Sequence, residues 1–220
     1  RELTDTMNPF TVVFFRTLVA LTVITGLTIY RGGKDISTRN MPIHIFRNTI
    51  HYLGNLTWII GIGLIPLAQV FALEFSTPIW VTILAILFLK EKLDIGKLIA
   101  ISIGFAGVII ILRPGIIAIN TGSLAIICAA ICFAIANVIT KFLSKTDSPM
   151  TILFLMYSMQ LPISAIGAYM YWTPPTWADL PWILLLGFMS LSAHYCMTRA
   201  FRLADVTIII PIDFLRMPII

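Results

Sequence analysis

The sequence predicts an all-α protein, a polytopic bundle of membrane helices built as two inverted five-helix repeats, of which helices two to nine are present here. Three observations lead there. Of 220 residues, 59% are hydrophobic and only 11% charged, whereas soluble domains carry about a quarter charged residues. Apolar runs of the roughly 20 residues needed to cross a bilayer as a helix recur along the chain. Lys and Arg collect between alternate pairs of those runs, the mark of a chain that weaves through a membrane.

The runs follow in order. Residues 10–30 come after Asn8-Pro9, a capping side chain ahead of a proline at the first helical position. Residues 43–64, 66–89, 95–113 and 121–143 follow, then 149–170 behind Ser148 with Pro149 at its start, and 181–203. An eighth run begins at Asp205. Connections such as Ile65 and residues 90–94 are short, so successive helices are expected to be antiparallel neighbours. Because residue 1 is Arg and the last run stops at Ile220 without flanking charge, the chain is expected to be a piece of a longer parent lacking the first and last helices.

The charges assign the sides. One side gathers Arg31, Lys34, Arg39, Arg47, Lys90, Lys92, Lys97, Lys141, Lys145, Arg199 and Arg202; the other has Arg1 and Arg113; Arg16 and Arg216 fall within runs. The connection 171–180 holds Trp172 and Trp177 but no Lys or Arg, as an outer interface would. The rich side is therefore placed in the cytoplasm of a bacterium, with the protein in the inner (plasma) membrane and both parent termini cytoplasmic. The net charge of +5 reads as membrane orientation. No basic stripe with interleaved aromatics points to nucleic acid, and the lipid bilayer is the expected partner.

An offset of 140 residues carries Pro9 onto Pro149 and Pro78 onto Pro218, together with the runs around them. This predicts repeats at 1–113 and 121–220. Each repeat would hold an odd number of helices, so the second inserts upside down, a pattern common in transporters. Pro78 and Pro218 should kink their helices and free a carbonyl, either as hinges or as static shape.

Along this frame lie Pro9 with Phe14-Phe15-Arg16, Phe46-Arg47-Asn48, Gly63-Leu64-Ile65-Pro66-Leu67-Ala68, Thr77-Pro78, Leu89-Lys90-Glu91-Lys92-Leu93 and Gly104-Phe105-Ala106-Gly107-Val108. In order and spacing these tracts resemble the drug/metabolite transporter superfamily, EamA type, over essentially the whole chain. Lys90 departs from the glycine usual before Glu91, a departure expected to matter little in a cytoplasmic turn. The chain also resembles S-adenosylmethionine carriers of that superfamily, which assigns no substrate. The resemblance implies ten helices and a central cavity lined by the first, third and fourth helices of each half.

Charges retained at membrane depth are functional candidates by default. They are Arg16, Glu74, Asp213 and Arg216, which sum to zero. Either the acids pair with Arg16 or Arg216 to hold helices together, or they serve a substrate or a proton. A second group, Arg47, His51, Asn55 and Trp58, lies on one helix face by spacing, with Tyr52 beside it. Its alternatives are interhelical hydrogen bonding and a wet cavity, and Arg47 at the cytoplasmic end is placed to snorkel. The offset puts His194 and Tyr195 at the depth of Gly54 and Asn55. Asn137 and Gln160 are single amides of the kind that is usually structural, and Gln160 is left outside the site. The Gly104 and Gly107 pair is expected to permit close helix packing.

Cys128, Cys132 and Cys196 lie within apolar runs and form no paired framework, so they read as packing residues, and neither a metal nor a cofactor is expected. The chain has no His-Glu-x-x-His, no phosphate-binding glycine loop and no Ser with an evident His partner, so an enzyme is not expected. The short connections offer no channel filter. The reading is a transporter of a small metabolite, amino acid-like, amphoteric or drug-like, working by alternating access, with proton coupling open. The alternative is a non-transporting membrane scaffold or sensor. No motif encodes substrate, direction or oligomeric state.

Overall fold

The computed structural model describes residues 3, 6–32, 36, 39–92, 94–112 and 120–212, excepting the side chains of 100, 104, 107, 108, 111 and 112. The expected packing of Gly104 and Gly107 therefore lies outside the described residues, as does Pro218. Helix α1 spans Pro9–Tyr30, with the Asn8 side chain accepting from the Phe10 N–H at 3.1 Å. Helix α2 spans Met41–Leu64, α3 Leu67–Glu74 and α4 Thr77–Leu84, which runs on into a π-helical turn, Ala85–Leu89. Then come α5, Ile95–Leu112, and α6, Thr121–Leu143, capped by Asn120. Helix α7, Pro149–Met170, is capped by Ser148, which accepts from the Thr151 N–H at 3.1 Å. Last are α8, Leu180–Leu203, and α9, Val206–Ile212. No strand occurs among the described residues.

Five segments, Pro9–Tyr30, Leu67–Leu89, Thr121–Leu143, Pro149–Met170 and Leu180–Leu203, are long and apolar enough to cross a membrane. Helix α2 is more polar, and its polarity is turned inward: His44, Arg47, Asn48, His51 and Asn55 are all buried. It packs chiefly on α6, while α1 packs on α7 and α8. Glycines allow the α2–α6 approach. A side chain on Gly54 would run into Phe133 and Cys132, and one on Gly61 into Ile126. Helices α1 and α7, which the 140-residue offset matches, touch each other. Side chains such as Leu184 and Phe188 on α8 face outward, as a lipid-facing surface requires.

The single helix expected over 66–89 is broken. Helix α3 ends at Glu74, Phe75 and Ser76 turn, and Pro78 sits in the first turn of α4. Pro78 has no N–H to offer the Glu74 carbonyl; the Thr77 hydroxyl donates to it instead at 2.6 Å, and the Ser76 hydroxyl donates to the Leu73 carbonyl at 2.7 Å. The freed acceptors are thus satisfied locally, by two hydroxyls adjacent to the proline.

Each face is fastened by polar contacts. On the charge-rich side, His44 and Asp147 pair at 2.8 Å and Lys97 and Asp205 at 3.1 Å. Lys90 ends the π turn with φ of 57°, in the left-handed region. The turn carries Glu91 to the start of α9, where its carboxylate accepts from the Val206 and Thr207 N–H groups and the Thr207 hydroxyl. On the other side, Asp179 accepts from the Thr176 N–H and hydroxyl and from the Thr6 hydroxyl. Those donors, the Thr176 backbone N–H first, hold its carboxyl below the usual range.

Candidate functional site

The polar stripe of α2 meets partners from α1, α3, α6, α7 and α8. Asn55 is the junction. Its Oδ1 accepts from Arg16 Nη1 at 3.1 Å, and its Nδ2 donates to His51 Nδ1 at 2.9 Å. Gln160 of α7 also donates to His51 Nδ1, at 2.9 Å. Two amide donors on Nδ1 leave the ring proton on Nε2. The His194 ring of α8 lies edge-on against His51, with centroids 4.9 Å apart. One helical turn toward the charge-rich face, Arg47 is 3% exposed and donates to Thr140 and to Asn48, at 3.0 and 2.9 Å. Arg47 therefore does not snorkel; two neutral side chains keep it inside the bundle.

Two cavities flank this network. One, of about 260 Å³, is lined by His51, Asn55, Glu74, Phe75, Thr77, Pro78, Phe133, Asn137, Ala193, His194, Met197 and Ile210. The other, of about 390 Å³, lies toward the charge-poor face and is lined by Arg16, Trp58, Trp182 and apolar side chains including Val12, Ile59, Ile62 and Met189. Two hydrogen bonds bridge the partition between them. Arg16 of the larger cavity holds Asn55 of the smaller, and Trp58 Nε1 of the larger donates to Glu74 Oε2 of the smaller at 2.6 Å.

Of the side chains singled out in the sequence, the structure brings together His51, Asn55, Trp58, Glu74, His194 and Arg16. Tyr52 is buried instead in an apolar cluster with Val12, Val13 and Ile183. Tyr195, one residue from His194, points to a separate groove with Arg31, Met150 and Leu191. Asp213 and Arg216 lie outside the described residues. Gln160, set aside as structural, is fully buried against His51. Asn48 and Phe133 are further members that were not among the candidate site residues; the tract Phe46-Arg47-Asn48 was the available signal for Asn48.

A helical bundle with several membrane-length helices and polar side chains converging on interior cavities defines an integral membrane protein of the transporter class. Residues 1–113 and 120–220 match the EamA-like transporter family, and the chain belongs to it. Among relatives, an S-adenosylmethionine uptake transporter of Rickettsia bellii is 28% identical over 97% of this chain and 73% of its own length. A riboflavin transporter of Brucella anthropi is 29% identical over 94% of this chain and 75% of its own. A solved crystal structure shares the fold, with a TM-score of 0.77 at 15% identity, over 95% of this chain and 76% of that one.

Proposed function

We propose that this protein moves a small metabolite across the bacterial inner membrane by alternating access, through the path formed by the two cavities and the partition between them. The observation that carries this reading is the partition itself. Polar and ionisable side chains, costly at membrane depth, are grouped where one cavity ends and the other begins. His51, Asn55, Glu74 and His194 form the wall that a substrate would meet on the cytoplasmic side, and Trp58 and Arg16 the wall on the outer side. Asp213 and Arg216 belong to the same proposal through their sequence depth. The substrates by which these relatives are named, S-adenosylmethionine and riboflavin, are both small metabolites, and this supports the substrate class without choosing its member.

The test is to express the full chain in bacteria and compare intracellular and external metabolites by mass spectrometry, native protein against Glu74→Gln, at matched membrane abundance. A metabolite redistributed by the native protein and not by the variant is the expected result. Redistribution by neither would favour a membrane scaffold or sensor. Equal redistribution would keep transport and remove Glu74 from it.

A further inference from the structure

Arg16 is one of the described buried residues that the fold leaves with an unpartnered polar atom, and it carries a full charge. It is 7% exposed, sits near the middle of α1 and lines the larger cavity. Its hydrogen-bond partner is a neutral amide, Asn55 Oδ1 at 3.1 Å. Its Nε, also buried, has no partner, and no carboxylate lies within ion-pair distance of it among the described residues. A guanidinium has five N–H donors and cannot shed its charge. Burying it with one neutral partner is expensive, because an uncompensated charge in a low-dielectric interior keeps most of its desolvation cost. By contrast, the carboxylates on the two faces are multiply bonded. Asp179 and Glu91 each take three donors, and Asp147 is paired with His44.

The cavity beside Arg16 is otherwise apolar, with Trp58 and Trp182 among its walls. Its volume of about 390 Å³ falls within the range of about 300–1,000 Å³ that holds small-molecule ligands. One fixed cation in an apolar, aromatic chamber selects a ligand with one anionic end and an apolar or ring-bearing body. The planar fork of Arg matches a carboxylate in two parallel bonds, which Asn55 with one oxygen cannot supply.

Resting on the transport reading above, we propose that Arg16 receives the carboxylate of an organic acid or zwitterion with an apolar body, and that this carboxylate displaces Asn55 and so releases one of the two hydrogen bonds that close the partition. The exchange replaces one neutral acceptor by a charged bidentate one, so the ligand supplies the free energy that releases Asn55. Asn55, once released, still holds His51 through its own Nδ2. The Arg16–Asn55 bond between the cavities is then broken only when cargo is in place, which couples occupancy to the first step of opening. Arg16 acts here as a binding residue and Asn55 as its stand-in ligand in the empty state.

The test uses the full chain in proteoliposomes, with a small-molecule extract of the expression host outside and mass spectrometry of what enters. The native protein is expected to accumulate carboxylates. Uptake should fall by about tenfold or more in Arg16→Gln, and likewise for the native protein when the extract's carboxyl groups have been converted to amides. Asn55→Asp gives a second arm: its carboxylate would occupy Arg16 permanently and suppress uptake by about tenfold or more; undiminished uptake in this variant would overturn the proposal. Accumulation of compounds without a carboxylate, or undiminished uptake from the amidated extract, would overturn the proposal and leave transport standing. Uptake of nothing by the native protein would overturn both.

Discussion

Lys90 offers a perturbation whose size follows from one backbone angle. Its φ of 57° is the left-handed conformation, which costs an L residue with a Cβ about 1–2 kcal/mol and costs glycine little. Glycine loses more backbone freedom on folding, which returns about 0.5–1 kcal/mol of that gain. Lys90→Gly is therefore expected to stabilise the protein by about 0.5–1 kcal/mol, a rise of about 1–4 °C in thermal midpoint for a chain of this size. The measurement is tryptophan-fluorescence unfolding in a mild detergent, with Lys90→Ala alongside. Alanine removes the same charge but keeps the Cβ, so it should leave the midpoint near that of the native protein. Equal shifts for Gly and Ala would refute the conformational account and assign the effect to the lysine charge. A fall on Lys90→Gly would mean that the turn delivering Glu91 to α9 depends on a stiff residue rather than tolerating a strained one.

Other substitutions follow from the same contacts. Glu91→Gln leaves one acceptor oxygen where two now serve Val206 and Thr207; the lost cap is worth about 1 kcal/mol, read as roughly fivefold faster hydrogen exchange at those two amides. Gly61→Leu drives a side chain into Ile126 and should cost about 1–3 kcal/mol as overpacking, with Ile126→Ala recovering much of the loss in the double variant's thermal midpoint. Asp179 titrates below its ordinary value of 3.8 because donors favour its charged form. Its contribution is therefore fully present above that value and is lost as pH falls through the lower folded one. The midpoint difference between native and Asp179→Asn should stay constant from neutral pH down to the ordinary carboxyl range and shrink below it.

The spans and their caps were legible because both rest on short-range chemistry. Asn8 and Ser148 cap the helices as their position before proline implies, and the depth of His51 and Asn55 follows from where α2 starts and stops. What the sequence could not supply was rotation and long-range pairing. The repeat offset matches His194 and Tyr195 to a depth, yet neighbours on a helix point about 100° apart, and packing alone turns His194 to the cavity and Tyr195 away from it. Gln160 looks like any lone amide until α7 places it on His51, 109 residues away. Arg47 has the flanking position of a snorkelling residue, and only the approach of α6 with Thr140 keeps it inside. Lys90 shows the same limit in a turn. The departure from glycine is visible in the sequence, and the left-handed φ of 57° that the turn imposes on it is visible only in the structure. The two cavities follow from the same division: each wall is built from side chains readable one helix at a time, whereas the partition exists only because Arg16, Asn55, Trp58 and Glu74, from three helices, arrive at a common depth. The partition is therefore a product of tertiary packing, tied across by the Arg16–Asn55 and Trp58–Glu74 hydrogen bonds.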